Sequence, residues 1–210
     1  MPEFDVDDRL AWAVTWTARD EPMERSAHAL AADGRVWLVD PMADDAALGA
    51  AEALGEVVGV LQLLDRHPRD CVSLARRYGV PHLRLPEQLP DTPFQVERVT
   101  WVPGWREVGL WWGERRAWVI PEAVGTASYF AVGGRPLGVH PMLRAKPPGV
   151  LRGLMPETLF VGHGPTLHGG AAAALREALR RSRRDIPRAT LAGMRTFTPA
   201  EAVRPLRGRR

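Results

Sequence analysis

Five side chains able to move a proton or share a lone pair stand where strand-like runs of this sequence stop. Asp65, His67 and Asp70 lie in the stretch Asp65-Arg66-His67-Pro68-Arg69-Asp70, Glu122 follows Pro121, and His163 sits between Gly162 and Gly164. Carboxylates and imidazoles are the groups that change protonation state or bind a divalent cation near neutral pH. Loops at strand ends commonly carry such groups because the scaffold beneath holds them still. Two guanidinium groups, Arg66 and Arg69, share the first loop and offer a different chemistry, a metal-free site for a carboxylate or phosphate. Cys71 follows at once, near a helix start that would lower a thiol pKa; a reactive nucleophile is one reading and a small buried core residue the other.

Each candidate also has a local explanation. His67, just ahead of a helix, could bond a loop carbonyl, and Asp70 is placed to cap that helix. Glu122 could be a surface carboxylate, and His163 could serve a backbone turn between its two glycines. His28, His82, His140 and His168 have no partner at ligand spacing. Gly133-Gly134 and Gly169-Gly170 lack the spacing of a phosphate loop and read as turns.

The elements that must position these residues follow from pattern. Residues 10–16 alternate as a strand, as do 26–32, and Asp33-Gly34 turns the chain into a further strand at 35–40, the signature of a hairpin. Asp44-Asp45 caps a helix over 46–54, and 57–64 is a continuous apolar run, as in a strand covered on both faces. A second helix over 70–78 stops at Gly79, and a strand starts near Val80-Pro81. Strands are expected at 95–102, 110–112, 117–120 and 158–161, with a turn at Pro103-Gly104-Trp105 and an alanine-rich helix over 171–184. Five tryptophans, Trp101, Trp105, Trp111, Trp112 and Trp118, crowd the middle of this half, and alternating strand faces would bury several in a sheet core. These elements predict one domain over residues 1–187 and an arginine-rich tail, coil or short helix, over 188–210.

Length and composition agree with one substantial globular unit: 210 residues, 45% hydrophobic and 25% charged, with 19 prolines and 20 glycines that disfavour a helical bundle. The net charge of +3 is unevenly spread. From Arg176 onward 11 arginines face three acidic residues, whereas the preceding part carries 17 basic and 22 acidic side chains. Of the basic residues only Lys146 is a lysine, and a single aromatic, Phe197, falls among the tail's arginines, so a nucleic-acid partner is not expected. A single cysteine excludes an internal disulfide and a cysteine-based zinc knuckle. The acidic start, with Glu3, Asp5, Asp7 and Asp8, is unlike a signal peptide, and no run reaches a membrane span; the expected location is the cytoplasm, with no membrane partner.

Taken in order, several stretches resemble the metallo-β-lactamase superfamily, over about residues 10–184. Residues 35–41 resemble the family's early strand ending in an aspartate. Asp65-Arg66-His67-Pro68-Arg69-Asp70 stands where the family has H-x-H-x-D-H, and Val102-Pro103-Gly104-Trp105 where it has T-P-G-H. Pro121-Glu122 falls where a strand normally ends in Gly-Asp, and Phe160-Val161-Gly162-His163-Gly164-Pro165 looks like its final G-H-G loop, the most specific match. The resemblance implies an α+β protein, an αββα four-layer sandwich with a metal site between the sheet edges. In the complete pattern five histidines and two aspartates hold two zinc or iron ions around a bridging hydroxide.

Residue by residue the pattern is degenerate. Only His67 and His163 keep the expected type; Asp65, Asp70 and Glu122 replace ligands with other oxygen donors, while Trp105 and Arg69 replace ligands with groups that cannot bind a cation. Arg69 could pair with a carboxylate and stand in for a second metal's charge. The resemblance therefore implies a protein with a degenerate metal centre that binds a small molecule or partner without two-metal hydrolysis, and with no cofactor. The alternative is an altered hydrolase with one divalent metal, zinc, manganese or iron, on Asp65, His67, Glu122 and His163, and with Asp70 as ligand or general base. Arg66, Arg69 and Trp105 would line the pocket, and the tryptophan-rich edge would suit a homodimer.

Overall fold

The computed structural model describes residues 3–19 and 21–196. The chain starts with an antiparallel meander of β1 (Phe4–Leu10), β2 (Ala13–Ala18), β3 (Ser26–Ala32) and β4 (Arg35–Val39). Helix α1 (Asp45–Glu52) then carries it to β5 (Glu56–Gln62), parallel to β4, and α2 (Cys71–Tyr78) to β6 (His82–Arg84), parallel to β5. These six strands form one sheet in sequence order. The second half contributes β7 (Gln95–Val102), β8 (Trp105–Trp112) and β9 (Ala117–Ile120), and a two-residue pair of β10 (Val124–Gly125) and β11 (Gly138–Val139). Next come β12 (Thr158–Val161), β13 (Leu167–His168), α3 (Ala171–Arg181) and α4 (Ile186–Thr196). The second sheet runs β13-β12-β9-β8-β7, with β12 parallel to β9.

Side-chain alternation explains why the sheets stack. Strand residues point alternately to opposite faces, so the apolar pairs in β3 and β4 serve two cores at once. Ala27, Ala29, Val36 and Leu38 face Leu48, Ala51, Cys71 and Leu74 of α1 and α2. Leu30, Trp37 and Val39 face Val108, Leu110, Trp112, Val119 and Phe160 of the second sheet. On that sheet's outer face Trp118, Ile120, Leu159 and Val161 meet Leu175, Ala178 and Leu179 of α3. The result is helices, sheet, sheet, helices: the four-layer sandwich expected. Burying each of these large apolar side chains is worth about 1.5–3 kcal/mol, and the continuous run 57–64 forms β5 as far as Gln62, covered on both sides as the pattern implied.

Three elements differ from expectation. Strand β1 begins at Phe4, and the predicted single strand over 10–16 is the turn between β1 and β2 plus most of β2. Beside β1 the second sheet narrows to the two-residue β13, so the β1–β2 face towards it is polar, with Asp5, Asp7, Arg9, Thr15 and Thr17 lining an open groove of about 710 Å³. A short helix does form in the tail, but it starts at Ile186, packing against the 141–143 turn; residues beyond 196 lie outside the described part of the chain. No helix among the described residues is long and apolar enough to cross a membrane.

Candidate metal centre

Four chain segments meet where β4, β5, β9 and β12 end. Each turns polar immediately after its strand: Asp40 after β4, 65–70 after β5, Glu122 after β9, and His163 after β12. Local bonds hold the segments in place. Arg25 and His163 form an isolated antiparallel bridge, flanked by Ser26 N–H to Gly162 O and Gly164 N–H to Glu24 O. Gly162 is required because a Cβ there would run into Pro121 O and His67, and Gly164, at φ 91°, would run into Ala127 N. Three non-glycine residues around the site, Glu24, Asp40 and Arg69, have positive φ of 43°, 42° and 36°. Such strain costs about 1–3 kcal/mol per residue and collects at functional sites.

At the centre His67, Glu122 and His163 each offer a ligand atom, and these atoms lie within 4.8 Å of one another. Glu122 Oε2 is 3.1 Å from His67 Nε2 and 3.5 Å from His163 Nε2. The outer nitrogens are committed. His67 Nδ1 donates to Asp40 Oδ2 at 3.1 Å, and His163 Nδ1 donates to Met23 O at 2.9 Å. A carboxylate and a carbonyl only accept, so in the neutral rings both protons sit on Nδ1 and both Nε2 lone pairs face the Glu122 carboxylate. Three acceptors thus converge with no donor between them, and His163 Nε2 is a buried atom without a hydrogen-bond partner. Ligands about 2.0–2.1 Å from a tetrahedral ion stand about 3.3 Å apart, and the two distances to Glu122 bracket that value. The Asp40–His67 pair is the kind of outer bond that orients a metal-binding histidine. The donor set fits one divalent cation.

The surroundings are closed and polar. The side chains of His67, Glu122 and His163 are 8%, 10% and 5% exposed. Burial pushes the Glu122 carboxyl up, but His163 and His67, which when protonated would donate to it and balance its charge, more than reverse that and hold it well below the usual carboxylate range. Burial depresses His163, against the pull of Glu122. His140, given no role from spacing, places Nε2 3.4 Å from Glu122 Oε1, while its Nδ1 accepts the Met142 N–H. The proton therefore sits on Nε2, and burial keeps the ring neutral with a pKa of about 4. His140 thus brings an N–H edge close to Glu122. Over the top, the half-exposed Arg66 lies 4.3 Å from the Trp105 ring and 3.7 Å from Glu122 Oε1.

The remaining sequence candidates do not join the ligand group. Asp65 Oδ2 accepts the Arg106 N–H at 3.0 Å, stapling its loop to β8. Asp70 Oδ2 accepts the Ala43 N–H at 2.8 Å, tying the start of α2 to the loop after β4. Asp70 stands at the N-cap position, but its side chain makes no cap bond. Arg69 pairs with no carboxylate among the described residues. Its guanidinium is turned inward onto three carbonyls, Ser26 O, Asp40 O at 2.8 Å and Gly162 O at 3.1 Å, so it clamps the ends of β3, β4 and β12 together. Trp105 is buried, edge-on to His140 at 4.7 Å, as a wall of the site. Cys71 is buried, and desolvation pushes its thiol up to about 12, which fits a core residue.

Two residues with site contacts went unnoticed in the sequence. Asp40 was legible only as a strand end. Glu107, fully buried in β8, accepts from the Glu122 and Ala123 amides and the Trp105 indole, each at 2.9 Å; burial raises its pKa to about 7 against those bonds. A glutamate inside a strand-like run gives no sign in sequence that three donors await it.

No protein-family model and no curated protein matches the chain. Solved structures do. The DIM-1 metallo-beta-lactamase aligns over 87% of this chain and 98% of its own, with a TM-score of 0.61 at 12% identity. This chain has the metallo-β-lactamase fold. A metallo-beta-lactamase from Erythrobacter litoralis aligns over 87% of this chain and 93% of its own, with a TM-score of 0.58 at 9% identity. TMB-1 aligns over 90% and 100%, with a TM-score of 0.54 at 9% identity. On this fold the segments that converge here are the ones the sequence resemblance pointed to.

Proposed function

We propose that the protein holds a single divalent cation on His67, Glu122 and His163 and does not carry out two-metal hydrolysis. The observation that carries this reading is the pair of Nε2 lone pairs aimed at the Glu122 carboxylate, each fixed by a committed Nδ1–H. Two histidines and a glutamate form a donor set well suited to zinc. A second cation has no such support. Trp105 is no ligand, and the Arg69 guanidinium, already bonded to three carbonyls, brings a fixed positive charge into the neighbourhood. The low exposure of the three ligand groups favours retention of the cation over turnover of a bulky substrate, so the reading is of a binding protein.

The test is a metal titration. Protein stripped with chelator and dialysed is titrated with Zn²⁺ by calorimetry, alongside elemental analysis of the protein as purified. One equivalent is expected, and it is lost in His163→Ala. Two equivalents, or none, would overturn the proposal.

A one-metal hydrolase is the second reading, favoured by the count of three protein ligands, which leaves a fourth position for water. A bound cation would supply Lewis acidity and a water of lowered pKa. The chain itself would contribute His140 Nε2–H beside Glu122 and the exposed Arg66 to orient an anionic group. Ester or phosphodiester cleavage that disappears with the cation would favour this reading over pure binding.

A further inference from the structure

Glu107 is the only fully buried carboxylate in the described residues whose two oxygens serve three donors from separate parts of the site. Oε1 accepts the amides of Glu122 and Ala123, so it fixes the backbone from which the Glu122 side chain reaches His67 and His163. Oε2 accepts Trp105 Nε1–H and so fixes the indole that forms the wall beside His140. Strand β8 supplies the rigidity, since Glu107 lies between β7 and the bridge from Leu64, the residue that opens the His67 loop. One residue therefore links Glu122 and the Trp105 wall through its carboxylate and the His67 loop through its backbone.

We propose that Glu107 is the positioning residue of the cation site, holding Glu122 in ligand geometry through its backbone amide. This rests on the one-cation reading above. The chemistry demands a carboxylate. Glutamine has a single acceptor oxygen: if that oxygen keeps both amides, its NH₂ faces the Trp105 indole N–H, donor against donor. If the amide is flipped, the NH₂ faces two backbone donors instead. Removing the indole N–H relieves the first clash, so a Trp105→Phe change rescues glutamine at 107.

The experiment is a Co²⁺ titration followed by calorimetry and by the visible d–d bands of the bound ion, with circular dichroism to confirm folding. Outer-shell partners of metal ligands typically affect affinity by about 10–100-fold, so E107Q is expected to bind that much more weakly and with altered bands. W105F/E107Q is expected to bind more tightly than E107Q, whereas a merely structural role gives losses that add. If E107Q fails to fold, W105F/E107L is compared with W105F/E107Q, and the leucine variant, lacking any acceptor, is expected to lose about 10–100-fold. Parent-like binding by E107Q, or no rescue by Trp105→Phe, overturns the proposal and leaves the one-cation reading standing. A parent protein that takes up no Co²⁺ overturns both.

Discussion

His28 offers a test of the sandwich interior that is independent of any cation. Its Nε2 donates to Val161 O at 3.1 Å, which leaves Nδ1 to accept from Thr15 Oγ1 at 2.9 Å, and Thr15 is in turn bonded to Thr166 Oγ1 at 2.8 Å. This chain of polar groups crosses from the first sheet to the second inside the apolar layer. Burial first, and the Arg69 charge second, lower the His28 pKa from 6.5 to about 3, against the Val161 bond and the Asp40 charge. The unfolded chain takes up its proton near pH 6.5 and the folded chain refuses it until about pH 3, so stability falls as the pH drops through that window. From pH 8 to pH 5 the loss owed to His28 is about 2 kcal/mol. Glu107 acts in the opposite sense, because its raised pKa lets the folded state take a proton first; Glu122, His140 and His163 add to the acid loss. The comparison must therefore be a difference. His28→Gln keeps a donor for Val161 O and cannot titrate. Urea unfolding of both proteins at pH 8 and pH 5 is expected to show the parent losing about 2 kcal/mol more than the variant. Ring NMR of the parent is expected to show the Nε2–H tautomer without titration above pH 5. Parallel stability losses, or an imidazole that titrates near 6.5, would refute the argument.

Two further outcomes follow from the interior. Arg69→Met removes the clamp on Ser26, Asp40 and Gly162 and takes a charged donor from each carbonyl, Gly162 O keeping the Ser26 N–H; a loss of about 3–5 kcal/mol is expected in chemical denaturation, and a loss under 1 kcal/mol would show that the clamp is incidental. Cys71, buried and with its thiol pushed up to about 12, is expected to resist iodoacetamide at pH 8 in the folded protein and to react at once in denaturant. Rapid native labelling would revive the nucleophile reading.

The layers were legible because both sheets bury two faces. The continuous run 57–64, the Asp33-Gly34 turn and the Gly162-His163-Gly164 loop each carry a constraint that no other local structure satisfies equally well. Strand β1 hid because its inward face meets only the two-residue β13, through the polar pair Asp7–His168, so Asp5, Asp7 and Arg9 stand where apolar residues would have marked a period. At the site, spacing named the right loops but not the side chains that turn inward. Asp65, His67 and Asp70 lie within six residues, yet backbone amides from β8 and from the loop after β4 draw off the two carboxylates, and only the imidazole reaches Glu122. That sorting depends on donors distant in sequence. The same holds for His140, whose partner Glu122 is brought to it by the β10–β11 pair rather than by any regular interval.

The Arg69 clamp bears on what this scaffold can become. Replacing Arg69 by an aspartate, to introduce a second-cation ligand, would take a donor from three carbonyls and set a new anion near Asp40 and Glu122, with only Arg25 nearby to offset it. Trp105 would have to yield a ligand in the same step, and its departure would leave Glu107 without its indole partner. Each single change is costly before any cation is gained. A two-metal centre is therefore remote from this scaffold by single changes, because Arg69 and Trp105 are each held by bonds on which the rest of the site depends.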